Sequence, residues 1–182
     1  ALSYLIAELD TMIELLNKIH HADWLTNNLP DKSVQLIIAD PPYFRIVKNE
    51  WDNQWKNEFE YLQLCSAWAK ECYRILKPNG TFYIWGGIGK HKEHPFLKLL
   101  FLCENFGFYF QDFITWKKQK GIGSRNGYMY AREELLFFTK SETYTMNTPY
   151  TDDIAKNHGR LSKDTVNYKR CSNVCSWELN TY

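Results

Sequence analysis

Residues 34–43, VQLIIADPPY, hold the pattern that decides the fold. Val34 to Ala39 form a short, nearly continuous apolar run, as expected of a strand buried on both faces of a parallel sheet. The run stops at Asp40-Pro41-Pro42-Tyr43. In open α/β sheets ligands gather beyond the carboxyl ends of strands, so this tetrapeptide stands where chemistry is expected. Pro41 and Pro42 fix their own φ angles, and Pro41 also restricts Asp40. The result is a stiff, extended turn with outward carbonyls, an acceptor-only carboxylate at Asp40 and a flat ring at Tyr43.

Downstream, an aromatic-rich loop (Phe44 to Trp55) leads to the strongest helical pattern in the chain. Asn57, with Glu60 three residues on, is a good N-terminal cap. Phe59, Leu62, Cys65, Ala69, Cys72, Tyr73 and Leu76 then mark one helical face. Lys77-Pro78-Asn79-Gly80 is expected to end the helix in a turn, because proline cannot continue it. Residues 81–85 read as the next strand. Pro95 opens another helix that Gly107 is placed to end. Further strands are expected at 109–116 and 134–139, with a third at Tyr144 to Met146. Lys117 to Tyr130, rich in Lys, Gly and Tyr, reads as a loop. Upstream, residues 2–16 carry apolar side chains at helical spacing, and Lys18 to Asp23 reads as a short strand ending in a carboxylate. This alternation is that of an α/β open sheet. Residues 1–147 are read as the sheet domain and 148–182, polar and without periodicity, as a loop-rich segment leaving it.

Apolar residues make up 45% of the 182 and charged residues 24%, enough for a sizeable core and too little charge for wholesale disorder. With 22 Lys and Arg against 21 Asp and Glu, the net charge is +1, so affinity for a polyanion must come from a local patch. Aromatics at 16% exceed what a core needs and suit a surface that stacks on flat ligands. Five Cys follow no framework spacing; Cys65 and Cys72, a heptad apart, are expected as buried thiols, in keeping with a reducing cytoplasm. Cys171 and Cys175 lie four apart with no second pair at ligand spacing, so no metal is expected. His20, His21, His91 and His94 pair with no recognisable nucleophile and are read as neither bases nor ligands. Nothing reads as a signal peptide or a membrane span.

The tetrapeptide has a definite chemical use. An exocyclic amine carries two N–H donors, which a carboxylate and a rigid proline carbonyl can both accept while an aromatic ring stacks on the base. A flipped-out adenine fits this description. Accepting both hydrogens turns the nitrogen lone pair out of conjugation and towards a methyl donor. Positioning and charge stabilisation, rather than a strong base, then carry the rate.

The block SVQLIIADPPYF (33–44), Trp51-Asp52 and RILKPNG (74–80) before a strand resembles the catalytic motifs of amino-group DNA methyltransferases. DFITWK (112–117) and EELLFFTKS (133–141) are similar to that family's later strands. The resemblance covers about residues 17–147. It implies an open Rossmann-like methyltransferase sheet, mostly parallel with an antiparallel edge strand and incomplete in this chain. It also implies S-adenosylmethionine as cofactor, double-stranded DNA as partner, and a cytoplasmic, restriction–modification type of enzyme. Asp at the first motif position usually accompanies N6 of adenine, so Asp40, Pro41, Pro42 and Tyr43 are the expected catalytic set. The family's Phe-x-Gly-x-Gly cofactor motif is found neither before nor after Asp40. The order of motifs resembles the permuted subgroup, in which the catalytic block comes first. Either a further segment or a partner chain, such as the second copy of a homodimer, is expected to supply the motif. Alone, these residues are expected to bind S-adenosylmethionine weakly or not at all.

In that arrangement Asp23 resembles the acid that contacts the cofactor's adenosine part, although a plain strand-end Asp reads the same way. Asp40 and Gly86, the latter in the turn Gly86-Gly87-Ile88-Gly89, are also candidates for cofactor contact. Phe44, Lys117, Lys118, Lys120 and Arg125 are candidate DNA contacts, the basic ones being equally readable as a solvated loop. Asn157 to Arg170 is where target reading is expected in the permuted subgroup. Still open are N4-cytosine methylation, a non-catalytic nucleic-acid-binding subunit, and methylation of RNA or of a glutamine amide.

Overall fold

The computed structural model describes residues 13–45, 48, 50–87, 94–122, 126, 128–154 and 168–176. The apolar run becomes strand β1 (Val34–Ala39), and the capped pattern becomes helix α1 (Glu58–Ile75), where the Asn57 side chain accepts the Glu60 N–H. Strand β2 (Leu76–Gly86), helix α2 (Pro95–Asn105), strand β3 (Tyr109–Ile122) and strand β4 (Tyr130–Thr139) follow. Three short strands complete the described residues: β5 (Tyr150–Ile154), β6 (Tyr168–Arg170) and β7 (Val174–Ser176).

The main sheet has the order β1-β2-β4-β3-β7, while β5 and β6 form a separate pair. β1 pairs parallel with β2, and β3 parallel with β7; β4 runs antiparallel to both β2 and β3. Four strands therefore share one direction, as expected of an open Rossmann-like sheet. The antiparallel strand, however, lies inside the sheet and not at its edge. The β3–β4 hairpin accounts for this placement. Its return strand carries Leu136 and Phe138, which are fully buried, into register with Ile84 and Phe82 of β2.

One face of this sheet makes the core. Phe82, Ile84, Leu136 and Phe138 alternate inward and meet Cys65, Trp68, Ala69, Cys72 and Ile75 of α1 and Phe96, Leu99 and Cys103 of α2. Phe82 is ringed by Trp68, Phe108 and Phe138 at centroid separations of 6.2, 5.2 and 6.2 Å. Cys65 and Cys72 are buried thiols, and burial pushes each up to about 12, so they stay protonated and inert. The opposite face carries the flat Tyr83–Phe137 stack (4.6 Å) and leaves Leu36 and Ile38 49% and 64% exposed. Burial of β1 on both faces was expected; among the described residues the helices cover one face only.

Other expectations meet the structure with differences. α1 does end before Pro78, but the chain turns directly into β2, and Lys77 to Gly80 bulge out between the pairs Val34–Leu76 and Leu36–Thr81. The bulge is stitched down by Gln35 Nε2 to Asn79 O (3.0 Å) and by Thr145 N–H to Asn79 O (3.1 Å). Residues 144–146, expected as a strand, instead lie along this bulge without strand pairing. Of Lys117 to Tyr130, expected as a loop, residues 117–122 and Tyr130 belong to the β3–β4 hairpin, with Lys117 paired to Arg132 and Ile122 to Tyr130, and residues 123–125 and 127 lie outside the described residues. Residues 18–23 are coil rather than strand, and the first regular element after them is the 3-10 turn Trp24–Thr26. The polar end of the chain is not all loop, since β7 returns to pair with β3. Gly107 adopts φ +97° and donates its N–H to Glu104 O, the left-handed helix stop expected of it. Most of the helix expected at 2–16 lies outside the described residues, which begin with a helical turn at 13–15.

Candidate active site

β1 delivers Asp40 at its carboxyl end, and three interactions fix the turn that follows. The Tyr43 N–H donates to Asp52 Oδ1 (3.1 Å), and the Tyr61 hydroxyl of α1 donates to the Pro42 carbonyl (3.2 Å). The Tyr43 hydroxyl donates to Asp40 Oδ1 at 2.8 Å. Burial, reinforced by that bond to Asp40, holds the Tyr43 phenol well above its ordinary range, so it stays a neutral donor. Asp40 itself is exposed to solvent rather than folded inward.

Two cavities share Asp40, Pro41 and Pro42 as a wall. The first, of about 430 Å³, is lined by apolar side chains of β1 and α1, including Ile37, Leu64 and Trp68, and by Asp23 and Trp24. The second, of about 450 Å³, adds Tyr43, Trp51, Asp52 and Glu133. One is a cleft of apolar surface with two carboxylates; the other is polar and aromatic. The same stiff peptide is thus presented to two compartments of different chemistry.

The structure brings some candidate residues together and separates others. Asp23 caps the 24–26 turn, its Oδ1 accepting the Leu25 N–H at 2.9 Å, and it lines the same cleft as Asp40. Gly86 does not reach that cleft. It is buried at the end of β2, where an added Cβ would stand 2.1 Å from Phe96 Cδ2, so helix–strand packing requires it. Phe44, expected to meet nucleic acid, is 4% exposed and packs on Tyr61 (5.5 Å between centroids), with the Arg45 guanidinium over its ring. Its ring is an inward anchor with no face open to a base. Lys117 is exposed on β3, and Lys118 forms an ion pair with Glu133. The side chain of Lys120, the whole of Arg125, Ile88, Gly89 and residues 157–167 lie outside the described residues.

Sequence reasoning missed three members of the site. Tyr61 and Trp68 lie off the helical face that the spacing marked, yet both are buried and line the cleft. Glu133 read as part of a strand; only the hairpin register turns it towards Asp40. Among the described residues no three His, Cys, Asp or Glu gather to hold a metal ion, and no helix is long and apolar enough to cross a membrane.

A family model described as DNA methylase, covering N6 and N4 enzymes, matches residues 34–181. This chain belongs to the N6/N4 DNA methylase family. The family's chemistry is methyl transfer from S-adenosylmethionine. Among curated relatives of this methylase-family chain, the type II methyltransferase M.HpaI of Haemophilus parainfluenzae is 37% identical over 121 residues, covering 66% of this chain and 37% of that protein. M1.MboII of Moraxella bovis is 35% identical over 143 residues, 75% of this chain and 50% of that protein. The chain thus spans half or less of the length of these relatives. In fold it is similar to the cytosine-N4-specific PvuII DNA methyltransferase, with a TM-score of 0.60 and 20% identity over 87% of this chain and 56% of that one. It is likewise similar to a DNA modification methylase of Thermus thermophilus (TM-score 0.53, 23% identity, 73% and 58% covered). At such identities the likeness concerns the fold and not the base that is methylated.

Proposed function

We propose that this chain forms the catalytic part of a cytoplasmic DNA methyltransferase of restriction–modification type that methylates N6 of a flipped-out adenine. The observation that carries this reading is the shared wall: Asp40, Pro41 and Pro42 line both the apolar cleft and the aromatic cavity. A reaction that joins two bound molecules needs its acceptor groups at such a boundary.

The cleft fits S-adenosylmethionine in its chemistry. Its apolar walls and the Asp23 carboxylate suit the adenosine part, and the Asp40 carboxylate suits the molecule's cationic groups. When bound there, the cofactor supplies an electrophilic methyl group. In the second cavity the Asp40 carboxylate and Pro41 carbonyl accept the two hydrogens of the target amine, and Tyr43 offers its ring to the base. Asp40 then stabilises the positive charge that develops on the nitrogen and accepts the proton it releases. Since the Tyr43 hydroxyl already donates to Asp40, the incoming amine displaces a neutral donor and leaves the carboxylate's charge intact. Lys117, exposed on the β3–β4 hairpin, supplies a cationic group for the phosphates of double-stranded DNA, beside Lys118 and Arg132, which are ion-paired with Glu133 and Glu134. We place the chain in the permuted subgroup, with the remaining cofactor contacts made by a Phe-x-Gly-x-Gly segment or by a partner chain.

Nucleoside mass spectrometry of unmethylated DNA treated with the full-length protein and S-adenosylmethionine tests the reading. N6-methyladenine is expected, and Asp40→Ala should lower the rate at least about 100-fold. N4-methylcytosine as the product would overturn the choice of base. An Asp40→Ala variant as active as wild type would overturn the site.

A further inference from the structure

The cavity next to Tyr43 has a wall that the proposed chemistry does not yet use. Trp51–Asn53 is a single 3-10 turn, and the Asp52 in it is 7% exposed. Asp52 is tied twice to the segment after β1. Its Oδ1 accepts the Tyr43 N–H at 3.1 Å, and its backbone carbonyl accepts the Arg45 N–H at 2.7 Å. Tyr43 and the 51–53 turn are therefore one rigid piece, and both line the cavity of about 450 Å³ with Asp40 and Pro41.

The side chain beside this buried anchor behaves in the opposite way. Trp51 is 72% exposed, whereas Trp55 and Trp68 are each 9% exposed. An indole gains most from being covered, and one held at the rim of a cavity by a fixed backbone is poised to receive a flat partner. The cavity already offers amine acceptors at Asp40 and Pro41 and a ring at Tyr43. A planar heterocycle bearing an amino group satisfies all of these at once.

We propose that Trp51 is a second base-stacking surface of this cavity, held in register with Tyr43 by Asp52. The proposal rests on the DNA methyltransferase reading and adds a contact to it. Stacking on an aromatic ring tolerates any base, so Trp51 contributes retention of the extruded base and not the choice among bases. Loss of one such ring weakens retention by roughly 10- to 100-fold.

The test compares full-length wild type, Trp51→Ala and Trp51→Phe. Sequencing of DNA methylated by the wild type locates the target site, and a duplex with 2-aminopurine in place of the target base then reports extrusion and stacking. In Trp51→Ala, methyl transfer should fall about 10- to 100-fold, and 2-aminopurine emission should rise because a quenching ring is gone. Melting temperature and KM for S-adenosylmethionine should stay at wild-type values. Trp51→Phe should recover both the rate and the quenching. If Trp51→Ala matches wild type in rate and emission, the second surface is refuted while Asp40 and Tyr43 keep their roles. If Trp51→Phe is as impaired as Trp51→Ala and both melt early, Trp51 is structural and the proposal is overturned. A wild-type protein that transfers no methyl group removes the parent reading and this one together.

Discussion

Gly86→Ala should destabilise the site's supporting layer without touching its chemistry. Gly86 lies at the end of β2, opposite Glu134 of β4, and Phe96 of α2 packs directly onto it. A Cβ at position 86 would stand 2.1 and 2.2 Å from Phe96 Cδ2 and Cε2 and 2.9 Å from its Cγ. Ordinary contact begins near 3.4 Å, so the ring would have to retreat by about 1.3 Å. It has little room to do so, because Phe96 is 5% exposed and Leu99, one turn further along α2, is 1% exposed. Overpacking of a close-packed core costs about 1–3 kcal/mol, and a clash this deep against a ring edge belongs at the top of that range. Urea denaturation of wild type and Gly86→Ala measures the loss directly. Phe96→Leu in the same chain should return part of it, giving a coupling energy of about 1 kcal/mol or more between two contacting residues. If Gly86→Ala kept wild-type stability but lost affinity for S-adenosylmethionine, the packing explanation would be wrong. Gly86 would then regain the cofactor role that its glycine-rich surroundings first suggested.

Other outcomes follow from single contacts. Asn57→Ala removes the acceptor for the Glu60 N–H and should cost about 1 kcal/mol in chemical denaturation, whereas Asn57→Asp should cost little. Burial raises the Tyr61 phenol well above its ordinary range. The unfolded chain therefore loses that proton near pH 10 while the folded chain keeps it, and stability present below pH 10 should decline as pH rises beyond it. Thermal melts between about pH 8 and 11 should show that decline, and Tyr61→Phe should make it shallower, the buried Cys65 and Cys72 thiols and Tyr43 supplying the remainder. Tyr43→Phe keeps the ring but removes the hydroxyl that occupies Asp40 Oδ1, so steady-state methylation should stay within about threefold of wild type. A hundredfold loss would show that the hydroxyl takes part in the reaction.

The features legible in the sequence are those whose cause is local. The Asn57 cap and the left-handed stop at Gly107 each depend on a few neighbouring residues and appear where their chemistry places them, while the expected α1 face holds at Cys65, Ala69 and Cys72 but not at Phe59, which is 68% exposed because the buried face runs through Tyr61, Trp68 and Ile75 instead. β1 and its exit at Asp40 were legible for the same reason. Features set by register were not. Whether Lys117 to Tyr130 is loop or hairpin depends on pairing across β3 and β4, and glycine with lysine on paper reads as loop either way. The position of the antiparallel strand follows from Phe82 and Phe138 choosing each other across β2 and β4, a contact between residues 56 apart in the chain. Gly86 and Phe44 carry packing roles that were illegible for a related reason: nothing local to either residue shows that Phe96 stands against one and Tyr61 against the other.

The site's rigidity has a consequence for how an amine could be selected. Asp52 holds the Tyr43 backbone, and Tyr61 holds the Pro42 carbonyl, so both sides of the turn are fixed before any ligand arrives. The groups left adjustable are the Tyr43 hydroxyl and the carboxylate it meets at 2.8 Å. A ligand that offers N–H donors can replace that hydroxyl one hydrogen bond for another, at little cost. A ligand that offers only acceptors has no donor to exchange for that hydroxyl and would set its lone pairs against the carboxylate, so it gains nothing from this turn. The proposed selection for an amino group would therefore cost little ordering on binding, because the chain has already given up its conformational entropy to that geometry during folding.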